Sequence, residues 1–362
     1  MARYKKIFFL TADPTKNAGS IKEYFIENTE DFIAFHFFPS YTNEFSYTEH
    51  YKNGKKIFYK VFKHYTGGNR FVKNIIDFSA FSYTLLFIVK RGSFIIVNAP
   101  IYCFFSSIFS ILKSFQYVLW IGDYYPQKKF PMNIYHKIVD YYNNQLPYVL
   151  YLSPPINKIY ANKRDKTKFS KMVPLGIKRE ISLKHASNIK NIRLGFIGII
   201  REQQGLELVF KFLQQSNNCR LDVVGDGYRL PYYKGLAKKL GINNKVTFHG
   251  RVDDISTMFS QWDIALALYE ESKMNLSFYC EPTKIKHYLS YGLPVITTKT
   301  TYFYKELEEM HAGIVVDESV KSLEIAINKI LKNYDHYKRG VEGLVNKYEY
   351  SSWYDKRLSF LQ

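Results

Sequence analysis

The sequence predicts two doubly wound α/β domains that face each other across a cleft. Three observations carry this expectation. Apolar runs of strand length alternate with helix-length segments from residue 6 to 152 and again from 192 to 298. A polar, weakly periodic stretch at 163–190 interrupts the alternation. The chain, at 362 residues, is also about twice the usual size of one domain.

The elements follow in order. A strand at 6–10 precedes Asn17, Ala18, Gly19 and Ser20, which suit a helix start running to about 28, and 31–37 reads as a second strand, so the chain opens as a βαβ unit. Residues 39–68 are less regular and end in Thr66, Gly67, Gly68 and Asn69. A helix over 70–90, strands at 94–97, 117–121 and 148–152, and helices between them complete the first half. Residues 163–168 form a charged turn, and 174–190, with Pro174 and Gly176, read as the hinge. Beyond it, strands at 192–198, 220–225, 245–248, 263–267 and 294–298 alternate with helices at 205–215, 230–240, 254–260 and 283–291. A helix-rich end, 318–358, reads as a closing element, and no repeat of solenoid period occurs.

Composition narrows the class. With 46% hydrophobic and 23% charged residues, the chain has enough apolar surface to offset chain entropy, which excludes a disordered or collagen-like polymer. The net charge of +19 is uneven: residues 1–180 hold 26 basic and 12 acidic side chains, the remainder 25 and 20. The basic first half suits anionic lipid, phosphorylated substrates or nucleic acid, but no helix-turn-helix, zinc or aromatic RNA-binding pattern gives the last any specificity. Three scattered cysteines support neither a disulfide framework nor a structural zinc site, and the four-residue apolar run near the N-terminus is too short for a secretory signal. A reduced, cytoplasmic setting is expected. The uncharged stretch 93–112 has the length of a membrane span, but Asn98, Ala99 and Pro100 break it, so a buried strand, a turn and a helix are expected there.

In an open parallel sheet, ligands bind beyond the carboxyl ends of the strands, so the turns after the second-half strands matter most. Gly198 and Arg201 follow one strand and precede a helix at Gly205, either as a phosphate-binding arrangement or as a plain strand-to-helix turn. Gly225 and Gly227 end the next strand, where a ligand, a neighbouring loop or a tight turn would each call for glycine. Gly250, Arg251 and Val252 end the third. Pro282 fits the first position of a helix that Gly292 and Pro294 terminate. Free amides at 283–285 together with Lys284 would make a cationic pocket for a diphosphate, the alternative being a solvated surface lysine.

The ordered series of Gly198 to Gly205, Val223 to Gly227, Val246 to Val252, and Pro282 to Ile296 resembles the donor-binding half of retaining glycosyltransferases of the GT-B fold, the large family four. The likeness extends over roughly 190–317, down to Ala312 and Gly313. It implies two Rossmann-like domains: an acceptor-binding domain over 1–175, a linker at 176–190, a nucleotide-sugar-binding domain over 191–335 and a helical closing segment over 336–362. It further implies a UDP- or GDP-linked sugar as donor substrate, transfer with retention, and no cofactor or metal. The nucleotide base would lie near Gly250, Arg251 and Val252, and the diphosphate near Arg201, Pro282, Thr283 and Lys284. Two positions depart from the family pattern. Its Glu-x7-Glu pair falls on Tyr279 and His287, so Glu281 is the nearest carboxylate able to act on the sugar and His287 takes the place of the ribose-binding carboxylate. Gln204 stands where the family carries a phosphate-binding lysine.

In the first half, Gly19 and Ser20 after the first strand, and Trp120 and Asp123 near the end of another, border the expected acceptor side. Asp123, flanked by aromatic residues, is a candidate for acceptor binding or proton transfer, with a turn-tightening role as the alternative. Basic and aromatic residues interleave over 51–65, 70–73 and 128–130, which suits either a peripheral site on an anionic membrane or a solvated basic face. The resulting expectation is a polysaccharide-building bacterial glycosyltransferase that acts on a glycan or polyprenyl-linked glycan at the inner face of the plasma membrane. Its rivals are an inverting GT-B enzyme or epimerase and a non-catalytic partner subunit.

Overall fold

The structure, a computed structural model, describes residues 4–11, 21–37, 45–63, 69–180, 191–252 and 254–361. The chain divides into two compact units, Met1–Gly176 with Tyr350–Gln362, and Ile177–Glu349. The expected closing segment 336–362 is thus split, its last helix belonging to the first unit.

The first unit contains β1 (Tyr4–Thr11), α1 (Ile21–Asn28), β2 (Thr29–His36), β3 (Tyr47–Lys52), β4 (Lys55–Val61), α2 (Arg70–Tyr83), β5 (Phe94–Val97), α3 (Tyr102–Lys113), β6 (Gln116–Ile121), α4 (Met132–Gln145), β7 (Tyr148–Tyr151), α5 (Pro154–Tyr160) and β8 (Phe169–Met172). Among the described residues its eight strands lie in the order β4-β3-β2-β1-β5-β6-β7-β8; β3 runs antiparallel to its neighbours β2 and β4, and the other pairs are parallel. Alternation along the strands sorts side chains between two cores. Ile95, Val97, Leu119 and Ile121 pack beneath α2, α3 and α4, whereas Ile96, Val118 and Trp120 pack on the opposite face with α1 and the last helix. The stretch 93–112 is a buried strand, a turn and a helix, as its broken pattern implied. A single π-helical turn at Thr84–Ile88 continues α2.

The hairpin occupies part of the stretch that looked irregular. Asn53 and Gly54, both with positive φ, make its two-residue turn. Its interleaved basic and aromatic residues are used across strands: Lys56 bonds Glu49 at 2.8 Å and lies over the Tyr51 and Tyr59 rings.

The second unit contains β9 (Ile192–Ile197), α6 (Leu206–Gln215), β10 (Cys219–Val224), α7 (Leu230–Lys239), β11 (Val246–Gly250), α8 (Ser256–Phe259), β12 (Ile264–Ala267), α9 (Thr283–Ser290), β13 (Val295–Thr297), α10 (Tyr304–Glu309), β14 (Gly313–Val315), α11 (Val320–Lys332) and α12 (Tyr334–Lys347). Its all-parallel sheet has the order β11-β10-β9-β12-β13-β14. Strand order reverses between β9 and β12, so the topological switch point lies beyond their carboxyl ends. Leu194 and Phe196 of β9 face the core under α6 and α11. Gly195 between them points the other way, where a Cβ would stand 1.9 Å from a Trp262 ring atom. Gly195→Ala should therefore lower unfolding free energy by about 3 kcal/mol, read from a shifted urea midpoint at unchanged slope.

The last helix, α13 (Tyr350–Leu358), completes the first unit. Tyr24 donates to Asp355 Oδ1 at 2.8 Å, Trp353 Nε1 to the Pro174 carbonyl at 2.7 Å, and the Gly176 amide to Tyr354 Oη at 2.9 Å.

Candidate functional site

The site is built where β9, β10 and β11 end. Their backbones remain tied past the strands: Gly198 N donates to Val224 O at 3.0 Å, Gly225 N to Gly250 O at 2.7 Å and Ile200 N to Asp226 O at 2.9 Å. A Cβ on Gly225 would sit 2.0 Å from the Gly198 carbonyl oxygen, and one on Gly227 2.2 Å from that of Ile200. These two glycines are accounted for by loop packing against the turn after β9, which they hold in place. Gly198 itself has φ +144°, and a Cβ there would come within 3.2 Å of Lys284 Nζ.

Lys284 enters from the other side of the switch point. It is the second residue of α9, after Pro282 at the cap. Its ammonium lies 4.0 Å above the Phe196 ring centroid and 5.1 Å from that of Tyr269, and it donates to Gln204 Oε1 at 2.8 Å. Burial pushes it down to about 7, and the nearby Arg201 charge adds to the effect. The backbone amides of Lys284 and Ile285, in the first turn of α9, have no hydrogen-bond acceptor among the described residues, while that of Thr283 donates to Glu281 O at 2.8 Å. Arg201, Gln204, Lys284 and the end of α9 thus converge on one cationic, amide-lined spot with a single neutral acceptor in it. Such a spot favours an anion. Gln204 does not replace the charge of a lysine; its oxygen instead orients Lys284.

Gly250 has φ +66° and open space within 4 Å of where its Cβ would be; exposed Arg251 and half-buried Val252 follow it. Gly250 is joined to the site through the Gly225 amide and its pairing with Val224. His287, a turn further along α9, packs on the rings of Phe259 at 4.9 Å and Tyr291 at 5.6 Å, and burial lowers it to about 4, so it is neutral at pH 7.

Two sequence expectations require correction. Glu281 is 7% exposed and forms an ion pair with the equally buried Lys286; Tyr302 donates to its Oε2 at 2.6 Å. A carboxylate committed to those partners is a structural group and not one free to act on a sugar. Trp120, 3% exposed, is packed in the core beneath α13 and offers no acceptor surface. Asp123 does lie exposed just beyond β6, its carbonyl accepting from Tyr135 Oη at 3.1 Å. Gly19 and Ser20 lie outside the described residues.

Sequence reasoning missed Phe196 and Tyr269, the rings that enclose Lys284, and Glu270 next to Tyr269 in the chain. The Glu270 carboxyl is raised by burial, then by the charges of Glu207, Glu318 and Glu202. Tyr269 and Glu270 follow β12 at the switch point, which was the available signal. Among the described residues, no three His, Cys, Asp or Glu side chains gather as metal ligands.

The fold and site together define a protein with two Rossmann-like units, the second carrying a cationic, amide-lined switch point. Residues 177–343, nearly all of that unit, match the family described as glycosyl transferases group 1. The chain has the GT-B architecture, and its second unit is similar to that family. No curated protein sequence matches the chain. Among solved structures it is similar to Anabaena HepE in complex with UDP-glucose, with a TM-score of 0.66 at 15% identity over 98% of this chain and 95% of the other. Sucrose-phosphate synthase from Thermosynechococcus elongatus gives 0.68 at 12% identity, over 97% and 98%. The lipopolysaccharide outer core galactosyltransferase WaaB gives 0.59 at 13%, over 98% and 99%.

Proposed function

We propose that this protein transfers a sugar from a nucleotide-sugar, UDP- or GDP-linked, to a glycan acceptor, with retention at the anomeric carbon. The observation that carries the proposal is the convergence of Lys284, Arg201 and the first turn of α9 at the switch point of the second unit. As the bond from sugar to diphosphate breaks, negative charge develops on the leaving phosphate. Fixed donors already aimed at that place stabilise it without reorganisation. No step calls for a metal or cofactor. The base would lie along Gly250, Arg251 and Val252, and neutral His287 is the candidate for the ribose. Exposed Asp123 is the candidate acceptor-side group on the first unit. The acceptor would be a polyprenyl-linked glycan, reached at the cytoplasmic face of the plasma membrane. The same GT-B architecture in HepE, in complex with UDP-glucose, supports UDP as the first nucleotide to try.

Thermal-shift binding of UDP, GDP, ADP and CMP and their common sugars tests the reading, followed by slow hydrolysis of any sugar that stabilises the protein and NMR of the product's anomeric configuration. No response across the panel would favour a non-catalytic partner, a role consistent with the glutamine at 204 and the histidine at 287.

A pH dependence also follows. A diphosphate binds the protonated form of Lys284, whose value in the free protein lies at about 7 and rises when the anion is present. Affinity is therefore greatest near and below pH 7 on this account and falls as pH rises, by up to about tenfold per unit, until the bound-state value is reached. Calorimetric titrations of UDP between pH 7 and 9 check this, and a flat profile would contradict it. Stability of the free protein runs the opposite way. The folded value lies below that of an unfolded lysine, so the unfolded state binds more protons and stability on this account rises from pH 7 towards 10.

A further inference from the structure

Helices α2 and α3 turn apolar stripes outward as well as inward. On α3 the outward residues begin with Ile101 just before it and recur at Phe104, Ile108, Ile111 and Leu112, the last two 83% and 67% exposed. Beside them on α2 and its π-turn lie exposed Phe71, Ile75, Leu86 and Phe87. The two stripes are neighbours: Phe78 of α2 stacks on Phe105 of α3 at 4.9 Å, and Lys113 at the end of α3 donates to the carbonyls of Leu86 and, at 2.7 Å, Val89. Exposed Ser79 and half-buried Ser107 on these helices are satisfied internally, on Ile75 O at 2.9 Å and Phe104 O at 2.7 Å.

Charge identifies the occupant. Residues 78–122 contain no Asp or Glu, and their only charges are Lys90, Arg91 and Lys113. Exposed Lys128 and Lys129 precede Phe130, which is 78% exposed, before α4 on the same face of the sheet. The segment Phe71–Ile88 has a mean hydropathy of 1.3, yet Phe81 and Leu85 are buried in the unit's own core, which suits a helix that lies on a bilayer and not one that crosses it.

We infer that this two-helix face docks on an anionic lipid surface, its apolar stripes entering the boundary between headgroups and acyl chains while exposed Lys128 and Lys129 lie among headgroup phosphates. In its partner this rests on the membrane reading above, but not on the transfer activity.

The test is sedimentation of the full chain with vesicles of phosphatidylglycerol and phosphatidylcholine, against phosphatidylcholine alone. Binding to the anionic vesicles is expected, and Ile111→Ser/Leu112→Ser should weaken it by about tenfold or more. Phe87→Ser, on the other stripe, is an independent variant expected to act in the same direction. The thermal response of each variant to UDP should stay that of the parent protein, which separates failure of docking from failure of the nucleotide reading. Absence of vesicle binding by the parent, or variants that bind as well as it does, would overturn the inference. A parent dimer that the variants dissociate, without vesicle binding, would also overturn it by assigning the face to a second copy of the chain.

Discussion

Lys284→Ala should weaken UDP binding by about 1.5–3 kcal/mol, roughly ten- to 150-fold, the range for a hydrogen bond to a charged group. Among the described residues the ammonium has no carboxylate partner: two rings and one amide oxygen surround it, and the charge of Arg201 acts on it. An arrangement of that kind is unfavourable until an anion arrives, so the free protein should lose no stability on substitution. Isothermal calorimetry reads the affinity, and a melt of the unliganded variant confirms that the fold is intact. Lys284→Met, which keeps most of the packing on Phe196, should behave like the alanine variant. If either variant binds UDP as the parent does, the phosphate lies elsewhere.

Glu281→Gln should destabilise the protein by about 3–5 kcal/mol, because it leaves Lys286 charged, buried and without its counter-ion between the Phe303 and Tyr348 rings. The double substitution Glu281→Leu/Lys286→Met should recover much of that loss, since apolar groups of similar volume fill the same space. Denaturation of the two variants gives the comparison. Nucleotide affinity, corrected for the folded fraction, should not change in Glu281→Gln. A variant with full stability and lost turnover would restore the carboxylate to catalysis.

Much of the fold could be read from the chain because its strands are buried on both faces and so appear as short continuous apolar runs. The strand at 94–97 and the helix that follows it were legible in this way, as were β9, β10 and β12. The hairpin β3–β4 was not, although Asn53 and Gly54 are a strong turn signal. Its basic and aromatic residues suggested a surface and concealed cross-strand pairs. At the site, glycines and Lys284 were legible because a backbone approaching another backbone, or a cap opening a helix, leaves a residue-type signature. The pairing of Glu281 with Lys286 was not. It depends on how α9 packs against Phe303 and Tyr348, contacts that spacing along the chain does not encode. Trp120 was misassigned for a related reason: a helix some 230 residues later covers it.

That late helix bears on how the protein is made. The first unit needs Tyr350–Gln362, which a ribosome delivers only after the roughly 170 residues of Ile177–Glu349. At about 5–20 residues per second, that separation lasts on the order of ten to thirty seconds. During this interval one side of the first sheet, including Trp120, Val118 and Ile96, lacks its cover of Tyr354 and Leu358. The second unit can fold as it emerges, whereas the first, though synthesised earlier, is finished last.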